Sequence, residues 1–348
     1  ATESRKEPPP QKKDSGHAKA GPDAPTRPTT RRLKHHVCAY SPDLLARRGM
    51  RIEDESAAAQ VLSCVSYYRL SGYFRYWQKD PDYGDDDFIM GTSFSRIYSL
   101  YEVVLELAAA CQRLLATCDI VLRTRFAYHY GTCVGPVGSF THGLGFTRPP
   151  SEKIDPVEDR ILSDLDRSND LFVAHYRDEI KQGARYKPEA YDRMPIWVAV
   201  EALSFGCLSR MITASGESGV LDDMAVSLNT SRAFLPSQVR SFVYLRNRCS
   251  HYGRLWNTAV SDEPAIQKNT KRRIQRTYRS FDKHSAYQIL AALHDLATRS
   301  GLCEDWLGTV IEPLLQANPL LAYGIATPNK YGEVPREVLI DAHWQSSR

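Results

Sequence analysis

The sequence holds no C-x-x-C pair, although it has eight cysteines, at positions 38, 64, 111, 118, 133, 207, 249 and 303. Without paired spacing there is no zinc ribbon and no disulfide framework to read. Cys111, Cys118 and Cys207 lie inside apolar runs, so they are expected to act as small core residues in a reducing, cytoplasmic setting. Uninterrupted apolar runs are also missing. The longest candidate, Leu100 to Leu122, is broken by Glu102, Glu106, Arg113 and Asp119, and reads as a buried helix rather than a membrane span. No G-x-x-x-x-G-K-[ST], G-x-G-x-x-G or G-x-S-x-G occurs, which excludes P-loop, dinucleotide-binding and hydrolase-elbow chemistry by signature. Charge of one sign is lacking as well. The formal net charge is +4 over 348 residues, so binding to nucleic acid has to come from local clusters.

Apolar residues at helical spacing are present in quantity, while alternating strand patterns and fixed-period repeats are not. The chain reads as all-α. Residues 1–36 are rich in Pro, Lys, Arg and Thr, hold almost nothing apolar and show no secretory h-region, so a solvated, disordered tail is expected there. Helices are predicted at 41–50, 53–69, 95–113, 114–130, 156–166, 170–181, 197–212, 235–252, 287–301 and 306–316. A Gly/Pro-dominated loop is expected before residue 150, a basic linker at 268–279, and turns beyond Pro319.

One stretch carries candidate chemistry, RNRCSHYGRLWN at 246–257. Asn247 and His251 stand four apart and share a helix face, whereas Arg246 lies about 140° around from His251. Two copies of the helix lining one cleft would bring a guanidinium and an imidazole together more naturally than one. Arginine carries a permanent charge in a fork that fits phosphate oxygens, and histidine titrates near neutrality. Those are the parts needed to cleave RNA at its own 2′-OH, with no metal and no cofactor. In that reading Arg246 stabilises charge on the phosphorus oxygens, His251 moves protons and Asn247 orients the imidazole.

Other residues are weighed beside these. Arg254 and Asn257 either grip phosphate or base, or fix the loop after the helix. Trp256 reads as a packing anchor. Glu201, inside the apolar WVAVEALSF segment, is expected to be buried against an arginine, Arg246 or Arg123, as a supporting residue rather than a general base. Arg123 and His129 form a second R-x5-H, but Asp119 at i−4 accounts for Arg123 as an intrahelical ion pair. The stretch 67–77 mixes Tyr67, Tyr68, Tyr73, Phe74, Tyr76 and Trp77 with Arg69 and Arg75. It suits an RNA-stacking platform or, as preferred here, a core-facing aromatic cluster. Lys271, Arg272, Arg273 and Arg276 are the candidates for phosphate contact.

RNRCSHYGRLWN, with SYYRLSGYFRYW (66–77), LYEVVLEL (100–107), DIVLRTRFAYHYG (119–131), HY (175–176) and PIWVAVEALSFGCLSRM (195–211), resembles the abortive-infection (AbiD/AbiF-like) proteins with a HEPN-type helical fold. The resemblance spans about 38–330, which divides the chain into a tail at 1–36, a helical domain at 37–330 and a C-terminal extension at 331–348. HEPN ribonucleases carry R-x4–6-H, commonly with a polar residue after the arginine, and Arg246, Asn247 and His251 fill that pattern. The resemblance implies a cytoplasmic, cofactor-free RNase toxin of phage defence that leaves a cyclic phosphate and a 5′-hydroxyl. It also implies a homodimer in which the two R-x4-H helices meet, and restraint or activation by a small RNA, an antitoxin or a phage trigger. Tyr252 departs from the family, whose members often have a second His there.

Overall fold

The computed structural model describes residues 42–151 and 153–341. The tail predicted at 1–36, Cys38 and the last seven residues lie outside that range. Helices dominate, as the sequence implies. They comprise α1 (Pro42–Arg47), α2 (Glu55–Val65), α3 (Tyr67–Phe74), α4 (Phe94–Cys133), α5 (Val157–Arg167), α6 (Leu171–Tyr176), α7 (Ile196–Ala202), α8 (Phe205–Ala214) and α9 (Val220–Ser227). They continue as α10 (Leu235–Ser250), α11 (Lys268–Thr277), α12 (Ala286–Arg299), α13 (Glu312–Ala317), α14 (Pro319–Ala326) and α15 (Arg336–Ile340). Two small antiparallel hairpins form, Gln78–Asp80 with Asp85–Phe88, where Asp, Gly and Pro at 80–86 imply a loop, and Lys181–Gln182 with Arg185–Tyr186, at the end of the helix predicted over 170–181. Among the described residues no helix is long and apolar enough to cross a membrane.

The axis of the fold is α4. Two helices are predicted across residues 95–130, yet one helix of 40 residues forms. Leu107, Cys111, Leu114, Leu115, Cys118 and Leu122 keep the buried stripe in phase through the expected junction, and no Gly or Pro interrupts it. The Ser93 hydroxyl caps its start by accepting the Arg96 N–H at 3.3 Å. Around α4 pack α3, α7, α9, α10 and α12, so one shaft organises elements from most of the chain.

The opposite error falls at 197–212, where one helix is predicted and two form. Leu203 is extended, and Ser204 caps α8 by accepting the Cys207 N–H at 3.2 Å. The Ser204 N–H and hydroxyl both donate to Asp164 Oδ2, at 2.9 and 2.7 Å. A short α7 buries only Ile196, Ala199 and Val200, which leaves Trp197 and Glu201 on its outer face. Glu201 is therefore exposed, and the expected burial against Arg246 or Arg123 is overturned.

Other departures have equally local causes. The helix predicted at 53–69 divides at Ser66, whose φ of 61° cannot continue a helix. The expected linker at 268–279 is α11, held by a narrow stripe of Thr270 and Ile274. Beyond Pro319 the chain forms α14, buried almost all round through Leu320, Leu321, Ala322, Gly324, Ile325 and Ala326, so its sequence shows no amphipathic period. In α15 the backbone is tied to the core. The Trp77 indole donates to the Leu339 carbonyl at 3.1 Å, and the Arg96 Nε donates to the same oxygen at 2.7 Å.

Gly324 is where α14 crosses the loop after α10. A Cβ there would stand 2.6 Å from Trp256 Cδ1 and 2.7 Å from Asn257 Oδ1. Gly324→Ala should lower stability by about 1–3 kcal/mol in denaturant melts. Gly72→Ala, inside α3 with only Arg254 Nη1 at 3.8 Å, should be neutral or slightly stabilising, and equal losses at both sites would refute this packing.

Candidate active site

Helix α10 begins with Pro236 in its first turn and buries Leu235, Gln238, Val239, Ser241, Phe242, Leu245 and Cys249. Its Cys249 thiol lies against the Cys111 thiol of α4, and this contact together with burial pushes the Cys111 thiol well up from its ordinary range. Those contacts fix how α10 is rotated. Asn247 and His251 consequently fall on the solvent side and Arg246 at its edge, partly buried. Among the described residues, none forms a side-chain hydrogen bond or ion pair with Arg246, Asn247 or His251. The hydrogen bond expected from Asn247 to the imidazole is not made within the chain. What joins them is backbone, the His251 N–H donating to the Asn247 carbonyl at 3.0 Å. The other arginines of α10 are engaged: Arg240 pairs with Asp262 at 3.2 Å, and Arg248 donates to the Arg254 carbonyl.

The helix stops with a Schellman turn. Tyr252 N–H donates to the Cys249 carbonyl at 3.1 Å, and Gly253 N–H to the Arg248 carbonyl at 2.7 Å. His251 is thereby the capping residue of the helix. The left-handed position of such a turn usually belongs to glycine, and the nearby Gly253 suggests it would supply that residue. Instead Tyr252 takes it, with φ 53°. The strained tyrosine is held by α3: Arg69 Nη1 donates to its carbonyl at 3.0 Å, and the guanidinium lies 6.0 Å from its ring centre.

Past Gly253 the chain dives into the core. Arg254 donates to the Gly72 carbonyl and lies over the Tyr76 ring at 5.0 Å. Trp256, fully buried, stacks on Trp77 at 5.7 Å and donates its indole N–H to the Leu320 carbonyl at 2.8 Å. Asn257 is buried, with its Oδ1 accepting the Asn329 N–H at 3.2 Å and its carbonyl accepting the Tyr76 hydroxyl at 3.0 Å. Arg254 and Asn257 thus fix the loop, the second of the two roles open to them, and Trp256 is the anchor expected. The aromatics of 67–77 behave as the core cluster: Tyr73, Phe74, Tyr76 and Trp77 are buried, and only Tyr68 stands out at 86% exposure.

The second R-x5-H is not drawn into this site. Arg123 pairs with Asp119 at 2.9 Å, as its spacing implies, and donates to the carbonyls of Val200 and Leu203, capping the end of α7. His129 lies elsewhere on α4; burial lowers its pKa, and its Nε2 is without a hydrogen-bond partner. Of the basic cluster, Lys271 donates to Gln288 Oε1 at 2.8 Å and Arg273 lies 3.9 Å from Asp295, whereas Arg272 and Arg276 are exposed. The sequence reading missed Arg248 and Gly72 and gave Arg69 no part in this turn, which the three shape through main-chain contacts that no spacing rule signals. Among the described residues no group of His, Cys, Asp and Glu is arranged to hold a metal ion.

The model of a family described as Abi-like protein matches residues 60–257, more than half of the chain, and its match ends on the loop just described. No curated protein matches the chain. No solved structure matches it either.

Tyr252→Gly should relieve the left-handed strain and raise stability by about 0.5–1 kcal/mol, offset in part by the lost Arg69 ring contact. Tyr252→Ala keeps the Cβ and should not stabilise. Thermal melts that place the alanine variant above the glycine variant would contradict this account of the turn.

Proposed function

The chain belongs to the Abi-like family, and from that premise we propose that it is a HEPN-type, metal-independent endoribonuclease acting in abortive infection. The observation that carries this reading is the state of Arg246, Asn247 and His251. On a helix whose other arginines are all engaged, these three hold no side-chain partner among the described residues and gather at one solvent-facing end. Surface side chains of this kind contribute little to folding, so their combination of cation, amide and imidazole is best explained by a ligand.

The proposed reaction uses the RNA's own hydroxyl. A His251 imidazole accepts the 2′-OH proton as the oxygen attacks the adjacent phosphorus. The bond to the 5′-oxygen breaks, the imidazolium so formed gives its proton to that oxygen, and the products are a 2′,3′-cyclic phosphate and a 5′-hydroxyl. Arg246 offsets the charge that builds on the non-bridging oxygens. Within one chain Arg246 and His251 point about 140° apart around α10, so we place the scissile phosphate between the α10 ends of a homodimer. There an Asn247 amide, which makes no hydrogen bond to the imidazole of its own helix, can reach an imidazole across the cleft. The residues Arg69, Arg254 and Trp256 serve the reaction only by holding the turn.

Labelled single-stranded RNA incubated with the protein in EDTA should be cleaved to fragments with cyclic phosphate ends. His251→Ala should slow cleavage by about 10²–10⁴-fold and Arg246→Ala by about 10²–10³-fold. Both variants should melt within about 0.5 kcal/mol of the wild type, since neither side chain has an internal partner. A wild-type protein that binds RNA without cutting it, or variants that cut normally, would refute the nuclease reading.

A further inference from the structure

Helix α11 breaks the rules of a stable helix in three ways. Its sequence, KNTKRRIQRT, holds five cations and no acid. Its N-cap, Gln267, makes no side-chain cap bond, and its first turn carries Lys268 and Lys271 where the helix dipole favours carboxylates. Lys268, Arg272 and Arg276 follow at i, i+4 and i+8, a like-charged row that destabilises a helix. The neighbouring cations are accounted for: Lys271 by Gln288, Arg273 by Asp295, and Arg279, just beyond the helix, by Glu312 at 2.7 Å. Lys268, Arg272 and Arg276 are all exposed, and among the described residues none has a hydrogen bond or ion pair. The buried stripe of Thr270 and Ile274 fixes the rotation of the helix and turns that row outward.

We infer that Lys268, Arg272 and Arg276 form a docking ridge for the phosphodiester backbone of RNA, distinct from the Arg246–His251 turn. The row is about 12 Å long, which matches three to four successive phosphates of one strand in a duplex. Local conflict with helix propensity, without a compensating intramolecular contact, is the mark of a surface kept for a ligand. A polyanion resolves it: each phosphate removes one repulsion and releases counterions. The choice of RNA rests on the reaction proposed above, and the ridge adds affinity and register for the strand beyond the cut.

The test is RNA binding at several salt concentrations on a His251→Ala background, which keeps the RNA intact. Replacing Lys268, Arg272 and Arg276 together by Gln should weaken binding about tenfold or more at 50 mM salt and flatten the log K against log salt slope by about 2. The melting temperature should stay level or rise as the repulsion is removed. The control variant Arg47→Gln, Arg113→Gln, Arg185→Gln removes equal charge from exposed positions elsewhere. Equal losses in the two triple variants, or an unchanged slope in the ridge variant, would overturn the inference. So would a ridge variant that binds RNA normally but loses binding to phosphatidylserine vesicles. Because binding alone is read, the two readings fail separately: a wild-type protein that cuts no RNA, with the ridge variant still weakening binding, would reject the nuclease reading and leave the ridge standing.

Discussion

The stacked indoles of Trp77 and Trp256 are the contact on which the site depends. Trp256 follows the candidate histidine by five residues and is fully buried, its ring against Trp77 and Tyr73 and its N–H on the Leu320 carbonyl. Buried aromatics contribute several kcal/mol each, enough to set the path of a short loop against the entropy of a free one. With Trp256 anchored, Arg254 reaches Gly72, Arg69 reaches Tyr252, and the Schellman turn closes over the end of α10. Among the described residues the side chains of Arg246, Asn247 and His251 have no hydrogen bond or ion pair of their own. Their position is inherited from the hydrophobic core beneath them.

Arginines divide into two uses across the fold. Arg123, Arg96, Arg254 and Arg279 are clamps: each meets carbonyls or a carboxylate at an element boundary, and the first ends α7 where the sequence alone suggests a helix running on. Arg246, Arg272 and Arg276 have no such duty. A charged side chain in a clamp fixes structure because its donors are satisfied in one geometry only. One with no such partner among the described residues contributes almost nothing to stability. Composition and net charge could not separate these uses, since both kinds sit in the same mildly basic sequence.

Most of the fold was legible where apolar residues kept a helical phase. Helices α10 and α12 follow directly from spacing, and the 67–77 aromatics take the core role, the preferred of the two open to them. Where the sequence misled, the deciding contact was distant in the chain. Asp164 holding Ser204 splits 197–212, the core around α14 hides its period, and α4 runs unbroken through the junction expected between residues 113 and 114. The candidate site was legible as a motif, but its surroundings were not. Glu201 looked buried because its neighbours are apolar, yet the short α7 turns it outward. Tyr252 in the left-handed position could not be anticipated, because Gly253 next to it is the residue that normally takes that place.

Six residues carry the chain from an open imidazole at His251 to the sealed amide of Asn257, and the main chain is pinned at Tyr252 and Asn257. A segment so taut has no slack for an inserted or deleted residue, since one extra position would unseat the indole or rotate the imidazole. Changes of length are then absorbed on other surfaces of the fold, while this connector has to keep its own.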